Sequence, residues 1–138
     1  MKLYLDTCVW IDFLDEEREG HKKAVKLFGS IQKESGTVLI TKIHDYEIAK
    51  AGYRRLFKKV KEEMKQGSFC KETEINEEDK DSAIKLDSSL KCGVADCLHV
   101  LTAAREGAIL VSSDFHWQEI ADALGKQCFD YGLFFKYF

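Results

Sequence analysis

The chain has 138 residues, of which 45% are hydrophobic and 33% charged, and a net charge of −3. That size suits one domain, residues 1–138, with a core that needs no staples, and the slight acidity argues against a protein held to nucleic acid by bulk positive charge alone. With no apolar run of membrane-spanning length and no long apolar segment at the start, a cytoplasmic location without membrane attachment is expected.

Residues 2–5 predict a short buried strand closed by an aspartate, and Asp6 or Thr7 caps a helix opening with "DTCVWIDFL". Residues 21–34 put Ala24, Val25, Leu27, Phe28 and Ile31 at helical spacing. Gly36 ends that helix, and "TVLI" (37–40) reads as a second strand. A long helix is expected from about Ile43 to Gln66, with Gly67 as its stop. The segment 71–81 is acidic and poor in apolar residues; within it Asn76 caps a helix from Glu77 to about Leu90, terminated by Gly93. Residues 94–107 form a helix with Val94, Cys97, Leu98, Leu101 and Ala104 on one face, and "AILVS" is the clearest strand. A helix at 117–125 and a short strand around Cys128–Tyr131 follow. The aromatic tail (129–138) is too apolar for a free end: it packs on the core or on a second subunit, and a homodimer is expected. Continuous apolar strands alternating with helices imply an α/β fold with a parallel sheet of four or five strands covered on both faces.

The five cysteines (Cys8, Cys70, Cys92, Cys97 and Cys128) form no CxxC pair and no zinc-spaced cluster with histidine. They read as reduced, core-filling thiols.

Ligands of parallel α/β sheets bind at the carboxyl ends of the strands. Asp6 follows the first strand and Asp114 follows "AILVS". Asp96 opens the helix that runs antiparallel into that strand, and Glu47 lies in the first turns of the helix after the second strand. Four acids from distant parts of the chain thus belong at one edge. At 4 Å two like charges repel by about 1 kcal/mol in water and about 4 kcal/mol at an effective dielectric near 20, so such a set calls for a cation. Oxygen-only ligands favour Mg2+ or Mn2+ over zinc. Metal-assisted phosphodiester hydrolysis uses such a set, one ion activating the attacking water and another stabilising the leaving oxygen. Each acid alone also has a plainer role, Asp6 as a cap, Asp96 at a helix dipole, Asp114 in a turn and Glu47 in solvent.

The stretches "LYLDTCVWIDFL", "ITKIHDYEIAKAG" and "VADCLHVLTAAREGAILVSSDFHW" resemble, in order, the successive blocks of PIN-domain nucleases, including the VapC-type toxin ribonucleases. The resemblance implies a PIN-like three-layer α/β/α domain and a metal-dependent endoribonuclease in which Asp6, Glu47, Asp96 and Asp114 bind one or two Mg2+ or Mn2+ ions. It also implies hydrogen-bond support from Thr7 and Ser112, an RNA substrate and, in a toxin–antitoxin pair, an antitoxin partner. The chain departs from the family after the last acid, where Phe115-His116-Trp117 replace further acidic or polar residues.

Lys50, Arg54, Lys58, Lys61 and Lys65 follow Glu47 at spacings of three or four, a basic stripe that fits a phosphate track, with Lys50, Arg54 and Lys58 nearest the acids. The plainer reading is a solvated helix face balanced by Glu62 and Glu63. His99 and His44 read as structural histidines within reach of the site, and His116 as a candidate substrate contact. Asp12 and Asp15 are expected to face solvent. Two rivals remain: a PIN-like RNA- or protein-binding module without turnover, and a phosphoryl-transfer domain with Asp6 as nucleophile. Cys8 at the position of a second aspartate disfavours the latter.

Overall fold

The structure, a computed structural model, describes residues 1–138. Its elements are β1 (Lys2–Leu5), α1 (Thr7–Leu14), α2 (His21–Lys33), β2 (Thr37–Ile40), α3 (Lys42–Lys50), α4 (Arg54–Gln66), β3 (Cys70–Glu72), α5 (Glu77–Leu90), α6 (Val94–Arg105), β4 (Ile109–Val111), α7 (Phe115–Ala123), β5 (Cys128–Phe129) and α8 (Tyr131–Tyr137). The five strands form one sheet in the order β3-β2-β1-β4-β5, every pair parallel. The chain moves outward from β1 to β2 and β3, then returns to the other side of β1 for β4, so the order reverses at β1. A crevice for ligands opens at such a point, beyond the carboxyl ends of the strands.

Strand residues point alternately to the two faces, and the core divides accordingly. Leu3 and Leu5 join Trp10, Leu27, Phe28, Ile48, Phe57 and Phe134 beneath α1–α4 and α8. Tyr4 and Leu110 face the other way, with Cys97, Val100, Trp117 and Ile120 beneath α5–α7. This is the expected three-layer α/β/α arrangement. No helix is long and apolar enough to cross a membrane. The five cysteines are free thiols, four of them buried.

Four local expectations are corrected. The helix expected from Ile43 to Gln66 is two helices. Gly52 adopts a left-handed φ of 95°, its N–H bonds to Ala49 O at 3.0 Å, and Tyr53 N–H bonds to Ile48 O at 3.1 Å. This is a Schellman stop, in which glycine alone avoids a Cβ penalty. The acidic segment near 71 contributes an edge strand, β3, with only its first residue buried. Val25 and Val94 lie on exposed helix faces, because the buried stripes run through Ala24, Leu27, Phe28 and Ile31, and through Cys97, Leu98 and Val100. Asp12 is largely covered and takes bonds from Arg18 Nε (2.7 Å) and Tyr131 Oη (2.9 Å), whereas Asp15 stays at the surface, as expected, and accepts from Tyr53 Oη (2.7 Å). The aromatic tail forms α8, with Tyr131 and Phe134 buried in the core and Tyr137 and Phe138 exposed.

Candidate active site

β1 and β4 are paired, and their ends lie side by side: Asp6 N–H bonds to Val111 O at 2.9 Å. Asp6 and Asp114 each cap the helix that follows, accepting from Cys8 N (3.4 Å) and His116 N (2.8 Å). The capping roles are therefore real, and each leaves a second carboxylate oxygen to other partners. Ser112 ties the two ends together. Its hydroxyl donates to Asp6 Oδ2 at 2.5 Å and accepts from Asp114 N at 2.9 Å. Asp6 is buried, which pushes its carboxyl up to about 6, although Ser112, His99 and the Cys8 N–H pull it down.

Glu47 reaches the same edge from α3, whose start is fixed by the Thr41 cap with His44 reciprocating. Its Oε1 accepts from Thr7 Oγ1 at 2.9 Å and from His99 Nε2 at 2.6 Å. Burial opposes its charge, but the His99 hydrogen bond and charge and the Thr7 bond outweigh burial and hold the pKa below the ordinary value. Asp96, in the first turn of α6, accepts from the indole of buried Trp117 at 3.2 Å. Burial raises its pKa; Trp117 opposes the rise, and the neighbouring Asp114 adds to it.

The two histidines differ. His44 is fully buried, with Nε2 donating to Leu5 O (2.7 Å) and Nδ1 accepting from Thr41 N (3.0 Å), and burial holds it well below the usual imidazole value. It is a structural residue that does not bond Glu47. His99 does: it stands between Tyr4 Oη (2.6 Å from Nδ1) and Glu47, to whose carboxylate its Nε2–H donates at 2.6 Å. This Tyr4–His99–Glu47 chain was only partly foreseeable. The spacing of Asp96 and His99 put one turn between them, but Tyr4 gave no sign, being a buried strand residue 95 positions away.

Of the basic stripe, Lys61 pairs with Asp45 (2.9 Å) and Glu72 (3.2 Å), and Lys65 with Glu72 (3.1 Å). With the helix interrupted at Gly52, the stripe is not a single face. Lys50, Arg54 and Lys58 are exposed and carry no ion pair. Because α4 runs antiparallel to β3, its start lies toward the carboxyl edge. Two exposed aromatics also adjoin the acids: Phe115 (71% exposed), next to Asp114, and Tyr46 (66%), next to Glu47.

None of the four acids is paired with a lysine or arginine. An oxygen-only set without a basic counterion suits a hard divalent cation. Glu47 leans on His99, and no three of the acids bring their oxygens within 4.8 Å of one another. The set is thus open, which fits an ion that keeps several waters and takes only one or two carboxylates directly, as Mg2+ does.

A search of curated proteins finds no match to the chain. Among solved structures, one similar chain comes from the VapBC2 crystal structure of Rickettsia felis, bound to a DNA fragment from their promoter. It is 16% identical, covers 94% of this chain and 98% of its own, and superposes with a TM-score of 0.66. The PIN domain model matches residues 3–123, from β1 to the end of α7, and so takes in every acid at the carboxyl edge. The chain belongs to the PIN domain family.

Proposed function

We propose that this protein is a Mg2+- or Mn2+-dependent endoribonuclease whose catalytic and metal-binding residues are Asp6, Glu47, Asp96 and Asp114. The observation that carries the reading is the convergence of these acids at the order reversal of the sheet without a basic residue to neutralise them. A bound divalent ion supplies a lowered pKa for attacking water and a charge for the phosphoryl oxygens. The chain does the rest. Ser112 orients Asp6 and fixes its distance from the Asp114 backbone. Thr7 and His99 hold one oxygen of Glu47 and leave the other free, and Trp117 orients Asp96. Lys50, Arg54 and Lys58 meet backbone phosphates, while Phe115 and Tyr46 offer faces on which unpaired bases stack.

The PIN-domain resemblance, and the fold shared with a VapBC2 chain, support a toxin with an antitoxin partner as its setting. The exposed rings of Tyr137, at the end of α8, and of Phe138 after it support a homodimer. The test is cleavage of a mixed pool of labelled RNAs with Mn2+, Mg2+ or EDTA, comparing wild type with Asp96→Asn. Cleavage that needs metal and vanishes in the variant supports the reading. A folded wild type that cuts nothing, or a variant that cuts alike, replaces it with a binding module of the same fold.

A further inference from the structure

A second group of metal-ligating side chains stands apart from the four acids. The Sγ of Cys92, a ring nitrogen of His116 and a carboxylate oxygen of Glu119 all lie within 4.8 Å of one another, and theirs is the only such trio in the chain. We propose that Cys92, His116 and Glu119 form a binding site for a borderline transition-metal ion of the Zn2+ class, with a fourth position open to water.

The chemistry of the donors selects the ion. One thiolate, one imidazole and one carboxylate suit Zn2+, and a thiolate discriminates against Mg2+ and Mn2+. Three protein ligands with an open fourth position is the pattern of a zinc site that keeps a water. Ordinary tetrahedral Zn–S and Zn–O bonds set sulfur and oxygen about 3.6 Å apart, and Cys92 Sγ stands 3.5 Å from Glu119 Oε2, to which its S–H donates. An ion entering there displaces that thiol proton to solvent and takes the place it held.

Each donor is placed by its own backbone frame. Cys92 is a buried side chain in the turn between Lys91 (φ 56°) and Gly93 (φ 97°), and Asp87 Oδ1 holds the Gly93 N–H at 2.7 Å. His116 N is bonded to Asp114, and Glu119 follows three residues later on the same face of α7. His116 is exposed, so an ion has a way in. The site joins the turn that leads into α6 to the first turns of α7. Cys92 precedes Asp96 by four residues, and His116 follows Asp114 by two. A bound ion therefore fixes the relative position of the two elements that carry the open pair of acids. The assignment does not depend on the nuclease reading.

The experiment uses the reduced, metal-stripped full chain, titrated with Co2+ as a spectroscopic probe and then with Zn2+ against a chromophoric chelator. One equivalent of Co2+ is expected to give a thiolate-to-cobalt charge-transfer band in the near ultraviolet, which Zn2+ then removes. Cys92→Ser should abolish the band, and Glu119→Gln should weaken Zn2+ binding by about tenfold or more. Cys8→Ser and Asp96→Asn should retain both signals. Since Glu119 is partly exposed, its variant tests the site even where Cys92→Ser folds poorly. A cobalt spectrum without thiolate charge transfer, a band lost in Cys8→Ser instead, or Zn2+ binding unchanged in Glu119→Gln overturns the assignment.

Discussion

The two halves of the acid set are built differently. Asp6 and Glu47 sit in finished surroundings: every polar neighbour they touch is itself held, Ser112 by the end of β4, Thr7 by the start of α1 and His99 by Tyr4. Asp96 has one side-chain donor, Trp117, and Asp114 is bonded to the backbone of its own helix. The first half is thus pre-organised, and the second is left to be completed by whatever binds. The cost of pre-organisation appears as proton affinity. Asp6 has been taken out of water with Asp96 nearby, and burial above all lifts its carboxyl to about 6.

The largest expected effect breaks the buried half. Asp6→Asn should abolish cleavage while making the metal-free fold more stable at neutral pH. The sign follows from the raised pKa. Below about 4 the carboxyl is protonated in both folded and unfolded states and contributes nothing. Between the ordinary carboxyl value of 3.8 and the folded value of about 6 the unfolded chain ionises first, so stability falls as pH rises, and above 6 the full penalty is present. Its upper bound is about 3 kcal/mol, from two pKa units at 1.36 kcal/mol each. Urea midpoints of wild type and variant in EDTA should therefore separate between pH 4 and pH 7, and Mn2+ should close the gap for wild type only. Parallel pH profiles for the two proteins would remove burial as the source of the Asp6 shift.

A smaller effect sharpens the contrast without touching an acid. His99→Gln removes the Nε2–H that holds Glu47, and loss of such an outer partner typically lowers metal affinity or activity by about 10–100-fold. The diagnostic is recovery: raised Mn2+ should restore much of the rate in His99→Gln and none in Asp96→Asn. Equal loss at every metal concentration would make His99 a fold residue and no more.

Much of this arrangement was legible in the chain. Asp6, Asp96 and Asp114 could be assigned to one edge because β1, α6 and β4 announce themselves through apolar runs and a periodic face, and a parallel sheet fixes where such runs end. Glu47 could be placed because it follows β2 closely enough for any helix there to carry it to the edge. What failed did so for local reasons. Gly52 lies inside a helical pattern that charged residues continue on both sides, and its left-handed φ leaves no trace in hydrophobicity. β3 is a charged edge strand, and edge strands carry charge to avoid pairing with other chains. The Cys92–His116–Glu119 trio joins residues separated by the whole of α6 and β4, so no spacing rule reports it.

On the open half, Phe115→Ala is expected to weaken RNA binding by about 1–3 kcal/mol if one base stacks there, and Tyr46→Ala by a similar amount on the Glu47 side. Both should raise KM and leave kcat near wild type, because both rings are exposed and neither is a hydrogen-bond partner of the four acids. A fall in kcat at unchanged KM would place Phe115 in the packing of α7 rather than against substrate.

The smallest effect belongs to the cations, and the break at Gly52 decides which of them. Lys61 and Lys65 already face Asp45 and Glu72, so a phosphate must compete for them, whereas Arg54 and Lys58 are free at the start of α4. Each phosphate contact to a single strand releases counterions worth about 0.7 in the slope of log K against log salt. Arg54→Ala and Lys58→Ala should each reduce that slope by about that amount with little dependence on RNA sequence, and Lys65→Ala should leave it nearly unchanged. If the three variants lower the slope equally, the whole of α4 acts as the track, and its ion pairs with β3 open when RNA arrives.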